Sequence, residues 1–171
     1  MTDSTLQNLS RRKTGSNIWL GYETSANHND YSSVQPVKYE VLPDENAVGK
    51  AMFEEIERAA NEKEGDLVII LLGGRGAQAM YLYINDLAQT EVIDNLLNRL
   101  HVFTQDALAP MRMDNGLSFT RDFKRLLGEA FFSKIKSFTP MQTDTNDLEG
   151  EMVKYLEKLE SLGGVDIFFL G

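Results

Sequence analysis

Two features of this sequence have the residue types and spacing to do chemistry: an aspartate that closes one predicted strand, and a glycine-rich turn that closes another. Asp106 ends the segment HVFTQD (101–106). A carboxylate there can abstract a proton next to a carbonyl, provided partial burial raises its pKa for that role. Unburied, it is a solvated aspartate at the start of a loop. Gly73, Gly74, Arg75 and Gly76 follow the apolar run DLVIILL (66–72) and precede a predicted helix at 77–88. Backbone N–H groups and the helix dipole at such a start favour an anion such as a phosphate. Glycine brings no Cβ between the backbone and that anion, and Arg75 adds a charged fork. The plainer alternative is a tight strand-to-helix turn with an exposed arginine. No GKS or GKT follows, so this is not a Walker loop. Gly74-x-Gly76-x-x-Ala79 does pass a loose dinucleotide fingerprint, with Asp106 in the place of the ribose-binding acid, later than the usual spacing of about 20 residues. His28 sits in a polar stretch and His101 begins a strand, where a structural role is expected. Tyr81 and Tyr83 read as packing residues.

The elements that must position these groups alternate along the chain. VKYEVL (37–42) reads as a first strand, ended by Pro43 and Asp44, with Asp44 placed to cap the next helix. In that helix Val48, Met52, Ile56 and Ala59 recur at helical spacing. DLVIILL reads as a strand buried on both faces, as in a parallel sheet. ALAPMRMDNG (107–116) is a loop with a turn signal at Asn115-Gly116. Ser118 is placed to cap a helix carrying Phe119, Phe123, Leu126 and Leu127, and EAFFSKI forms a short second helical stretch. Leu148, Met152, Tyr155, Leu159 and Leu162 make the stripe of a last helix, closed by Gly163-Gly164, and VDIFFL (165–170) is the fourth strand. This β-α-β-α-β-α-β order predicts a three-layer α/β fold: a mostly parallel, Rossmann-like sheet with helices on both faces. Ligands bind such sheets at the carboxyl ends of the strands, where both candidate groups stand. Residues 1–36 are expected to form a polar arm with one apolar cluster, Ile18, Trp19, Leu20 and Tyr22, and residues 37–171 the domain.

Composition narrows the function. The 171 residues carry 17 Lys plus Arg against 26 Asp plus Glu, a net charge of -9. That balance argues against nucleic acid as a partner, which calls for a basic face. The absence of cysteine removes disulfides, thiolate catalysis and Cys-based zinc sites. No apolar run approaches the roughly 20 residues of a membrane span, and the start MTDSTLQNLSRRK has no secretory core. A cytoplasmic protein without membrane partners is the expectation. The acidic face of the last helix is most simply a solvated face.

In order and spacing, residues 37–171 resemble the amino-terminal part of the glucosamine-6-phosphate deaminase (isomerase) and 6-phosphogluconolactonase family. NAVGKAMFEEI is similar to its first helix, and DLVIILLGGRGAQAMYLYI to its strand, phosphate loop and helix. LHVFTQDALAP resembles the strand that ends in an aspartate, and NGLSFTRDFKRLLGEAFFSKI the segment beyond it. DLEGEMVKYLEKLESLGGVDIFFLG resembles the helix and strand leading into the catalytic loop, closer to the deaminase branch than to the lactonase branch. The resemblance implies a sugar-phosphate site that needs neither a metal nor an organic cofactor. By position Asp106 would be the base that moves a proton between C1 and C2, leading through an enolamine to loss of ammonia. Gly73, Gly74, Arg75 and Gly76 would hold the phosphate.

Three departures stand out. Arg75-Gly76-Ala77 replaces the family's Ser or Thr and then Pro, and Ala107 replaces the Glu that usually follows the aspartate. The catalytic loop with its Asp-Gly-His would begin at Gly171, so the 171 residues alone are expected to lack a complete active site and a complete sheet. An enzyme is therefore expected of the intact protein. The alternatives are a non-catalytic sugar-phosphate-binding module, a 6-phosphogluconolactonase-like hydrolase and, from the loose fingerprint, a dinucleotide-binding protein. Association into a homo-oligomer stays open.

Overall fold

The computed structural model describes residues 39–170. The expected arm at 1–36, with its apolar cluster, lies outside them. Helix α1 (Glu45–Glu62) starts where predicted, with the Asp44 side chain accepting from the Ala47 N–H at 2.8 Å. Strand β1 (Leu67–Leu71) follows, then a short 3-10 turn (Arg75–Ala77) that feeds α2 (Gln78–Ala88). Next come a one-turn helix α3 (Asp94–Leu97) and strand β2 (Leu100–Thr104). Helix α4 (Phe119–Lys134) is broken at Gly128, whose φ of 73° and ψ of 167° separate the main helix from the predicted second stretch. Strand β3 (Ser137–Thr139), helix α5 (Leu148–Ser161) and strand β4 (Ile167–Phe168) complete the order.

The four strands form one parallel sheet in the order β3-β2-β1-β4. Leu67 stands opposite Leu100 and Leu71 opposite Thr104. The period-two pattern splits the two central strands between two cores. Leu67, Ile69, Leu71, Leu100 and Val102 join Phe53 and Ile56 of α1, Met80, Tyr81 and Ile84 of α2, and Phe123 and Leu127 of α4. Val68, Ile70 and Phe103 face the other way, onto Tyr155 of α5. Every residue of β1 is buried, as its unbroken apolar run requires. Burying an aliphatic side chain of this kind contributes about 1.5–3 kcal/mol. The expected parallel, three-layer α/β architecture is therefore present.

Three local expectations are corrected. Residues 39–42 of the predicted first strand form no strand, and Tyr39 and Val41 are 88% and 83% exposed. Their alternation has no sheet neighbour to pair with. The sheet takes in its place β3, a three-residue piece too short to announce itself as a pattern, while the expected last strand is present as β4. On α1 the buried face is Gly49, Phe53, Ile56 and Ala60, one step round from the predicted stripe, and Val48 faces outward. Close approach of Gly49 to the backbone of Ala79 and Met80 sets that rotation. Ser118 stands at the N-cap of α4, but its side chain makes no capping bond.

Candidate functional site

All four strands point the same way, so the loops that follow them gather at one edge of the sheet. Running outward from β1, the chain goes to β2 and β3 on one side, then crosses to β4 on the other. The reversal falls between β1 and β4, the topological switch point where open α/β sheets leave a crevice. The loop Gly73–Gly76 begins at that point.

The loop's shape follows from its residues. Gly74 has φ 83° and ψ -164°, a conformation that side chains avoid. Gly73 lies so close to the Phe119 ring that a Cβ there would come within 2.6 Å of it. Phe119 opens α4, so the glycine loop and the start of α4 are packed together. Leu72, immediately before the loop, accepts a 2.5 Å hydrogen bond from the hydroxyl of buried Tyr81. Gly74, Arg75 and Gly76 are exposed, while Ala77 is fully buried and anchors the turn. Arg75 points into solvent; among the described residues its acidic partner is Glu45 at 3.9 Å, with both side chains more than four-fifths exposed. The arginine is thus at the edge, held by no strong ion pair among the described residues.

Asp106 follows the neighbouring strand but does not close it as expected, since β2 ends at Thr104 and Asp106 lies two residues into the loop. The β1–β2 ladder runs on past the strand ends, with the Gln105 N–H donating to the Leu71 carbonyl at 2.8 Å. The segments starting at Leu72 and Gln105 therefore depart from adjacent strands, about 4.8 Å apart at sheet spacing. The Asp106 carboxylate also acts on Tyr81, whose hydroxyl is pushed far above its ordinary range, chiefly by burial and secondly by that negative charge. Tyr81 thus touches the root of the glycine loop and feels Asp106. Asp106 itself is exposed, so the partial burial expected of a proton-abstracting base is not supplied by the described residues.

Below Asp106, Thr104 is buried and fixes the strand end twice. Its Oγ1 accepts from the Met141 N–H at 3.1 Å, and its carbonyl accepts from the Tyr155 hydroxyl at 2.7 Å. Burial pushes that Tyr155 hydroxyl up to about 12. On this α5 face a hollow of ≈ 120 Å³ opens beside the residue after Asp106, with Ala107, Met141, Met152 and Tyr155 among its walls. The glycine loop does not line it. In the loop between β2 and α4, Arg112 grips Asp114 through two bonds of 2.9 and 2.7 Å and holds its carboxyl below the usual carboxylate range. Arg121, in the first turn of α4, is exposed beside Gly116.

Sequence reasoning named Gly73, Gly74, Arg75, Gly76 and Asp106, and the fold brings their two segments to neighbouring positions on one edge. It missed the supporting contacts of Tyr81 and Phe119, and the walls of the hollow. Paired alanines at 107 and 109 and methionines at 141 and 152 were the available signal, since small and flexible apolar residues line adaptable cavities. His101 lies at the opposite, amino-terminal end of β2, with Nδ1 2.7 Å from Ser137 Oγ and Nε2 3.4 Å from Asp66. It braces β2 against β3, away from the candidate site. No group of acidic, histidine or cysteine side chains among the described residues could hold a metal ion. No described helix is long and apolar enough to cross a membrane.

No protein-family model matches the sequence, and no curated protein matches it. Solved structures do. A monomeric glucosamine-6-phosphate deaminase is similar over 73% of this chain and 51% of its own, at 22% identity and a TM-score of 0.58. The 6-phosphogluconolactonase of Trypanosoma brucei is similar over 72% of this chain and 49% of its own, at 19% identity and a TM-score of 0.56. That of Thermotoga maritima covers 67% and 50%, at 22% identity and a TM-score of 0.51. The chain spans about half the length of these proteins. At such identities the likeness is one of fold, and the chain has the fold of part of the glucosamine-6-phosphate deaminase and 6-phosphogluconolactonase structures.

Proposed function

We propose that the carboxyl edge of this sheet binds a phosphorylated sugar, with the phosphate at Gly73–Gly76 and Asp106 as the group that takes up a proton from the sugar. The observation that carries the proposal is the placement of a glycine loop at the switch point and a carboxylate two residues beyond the end of the strand beside it. The chemistry divides accordingly. Open backbone at Gly74 and Gly76 lets phosphate oxygens approach N–H groups, and the exposed Arg75, 3.9 Å from an exposed Glu45, can swing onto them. Asp106, one strand away, would remove a proton from a carbon next to the sugar's carbonyl, moving it between C1 and C2. A bound sugar would cover Asp106 and supply the desolvation that the free chain lacks.

Sugar-phosphate metabolism is the setting that the structural neighbours support, and the activities in their names point to two substrates for trial. Ammonia release from glucosamine 6-phosphate tests the deaminase-isomerase reading, and hydrolysis of 6-phosphogluconolactone tests the hydrolase reading. Both are to be measured with the full chain. Turnover by either, lost in Asp106→Asn, supports an enzyme. No turnover of either substrate, and none of related hexosamine phosphates, defeats the catalytic claim. A second reading, binding without turnover, draws on the exposure of Asp106. It expects a phosphorylated sugar to raise the melting temperature while no product forms.

A further inference from the structure

Four polar side chains are buried among the described residues: Thr104, Ser118, Thr120 and Thr143. Thr104 accepts from the Met141 N–H, and Thr143 donates to the Met111 carbonyl at 2.7 Å. Ser118 and Thr120, 5% and 6% exposed, make no side-chain hydrogen bond among the described residues. Buried hydroxyls ordinarily have partners, so two without one in the same turn call for an explanation. That turn is the start of α4. Ser118 is its N-cap residue, and an extended backbone there (φ -74°, ψ 124°) sets the side chain at the open end of the helix. The N–H groups of Phe119, Thr120 and Arg121 find no acceptor among the described residues either.

The charges of this turn are equally unusual. Arg121 puts a cation in the first turn, where the helix dipole disfavours one. Side chains on a helix lean toward its N-terminus, and the guanidinium accordingly reaches back to Gly116, two residues before the cap. The two acids at hand are engaged elsewhere. Asp122 pairs with Arg125 further along the helix at 3.3 Å, and Asp114 is held by Arg112 through two bonds. Unpaired N–H groups, a hydroxyl without a partner and a cation at one helix end are complementary to an oxyanion.

The glycine loop lies beside this turn, on the same face of the sheet. It feeds α2, and α2 and α4 share one core through Met80, Tyr81, Phe123 and Leu127. Both helices follow strands of the parallel sheet, so both begin at its carboxyl edge. Gly73 and Phe119 are in contact where they begin. Packed helices lie about 8–10 Å apart, so an anion midway between the two starts is roughly 4–5 Å from each axis. Asp106 stands on this side as well, since its charge reaches Tyr81 of α2, whose ring packs on Phe123 of α4 at 5.4 Å.

Building on the proposed sugar-phosphate site, we infer that the start of α4 is the second half of its phosphate clamp. Ser118 donates its hydroxyl, and Arg121 its guanidinium, to the phosphate that the glycine loop holds from the α2 side. Arg75 and Arg121 then approach the phosphate from two helices.

The test measures dissociation constants of inorganic phosphate and of glucosamine 6-phosphate by calorimetry on the full chain. The expected result is binding of both, weakened at least threefold by Ser118→Ala and at least tenfold by Arg121→Gln. Arg125→Gln removes the same charge one turn further along α4 and is expected to leave both affinities unchanged. The melting temperature of Ser118→Ala should equal that of the parent chain, because no capping bond is lost. Unchanged affinity in either Ser118→Ala or Arg121→Gln, with Arg75→Ala still weakening both ligands, overturns this inference and leaves the sugar-phosphate site standing on the glycine loop. An equal loss in Arg125→Gln also overturns it, since the effect is then one of net charge. So does a fall in the melting temperature of Ser118→Ala, which marks the serine as a structural cap. Binding of neither ligand by the parent chain overturns the sugar-phosphate site itself.

Discussion

At the scale of single residues, the account turns on side chains that are exposed and can be changed without disturbing the core. Asp106→Asn is expected to lower turnover by 100-fold or more, the usual order for loss of a positioned proton-transfer group. Because Asp106 is exposed, the melting temperature should stay where it was, which circular dichroism checks. Gly74→Ala should act on stability as well. A φ of 83° is strained for alanine, so stability should fall by about 1–3 kcal/mol in a denaturant titration, and phosphate binding should fall with it. Glycine identity, an arginine and a strand-ending aspartate were all legible in the sequence, because each depends on local backbone needs. The contacts that hold them were not. Nothing in the spacing of Tyr81 says that its hydroxyl reaches back to Leu72, nine residues earlier. Nor does Phe119 announce that its ring will lie against Gly73.

At the scale of elements, long-range hydrogen bonds hold the helices to both ends of the sheet. Tyr155 ties α5 to the end of β2 through the Thr104 carbonyl. Its hydroxyl titrates at about 12 in the folded chain because of burial, against about 10 unfolded. The folded state thus holds that proton more tightly, so the contribution is complete below pH of about 10 and is lost as pH rises through about 12. Tyr155→Phe should flatten the alkaline loss of stability in that window. At neutral pH it should cost about 1 kcal/mol, since the buried Thr104 carbonyl loses its donor. At the other end of the sheet, Arg99 closes α1, donating to the Ala60 carbonyl at 2.9 Å and also to the carbonyls of Lys63 and Gly65. Arg99→Ala should destabilise the chain by about 1–3 kcal/mol, read from the urea midpoint. Strong patterns gave the elements correctly here: the unbroken run of β1, the helices at 45–62 and 148–161. Weak ones failed for physical reasons. The alternation at 37–42 is real, but residues 39–42 find no neighbouring strand. The three residues of β3 have no pattern of their own and are strand only because β2 pairs with them.

At the scale of the molecule, the strand order is what turns scattered residues into a site. Sequence reasoning supplied a parallel sheet but not its order, since a crossover reads the same whichever side it takes. The order β3-β2-β1-β4 places the glycine loop at the reversal and Asp106 just beyond the adjacent strand. A ligand held there bridges two strands and the start of α4, so binding should stabilise the whole domain. At a hundred times its dissociation constant, a phosphorylated sugar should add about 2.7 kcal/mol to unfolding. The most direct measurement of the central claim is a two-dimensional amide NMR titration of the isotope-labelled chain with glucosamine 6-phosphate, repeated with unphosphorylated glucosamine. The account predicts saturable shifts at Gly73, Gly74, Arg75, Gly76 and Asp106 with the phosphorylated sugar, and much smaller ones with the unphosphorylated sugar. Shifts absent from those amides, or equal for the two sugars, would contradict it.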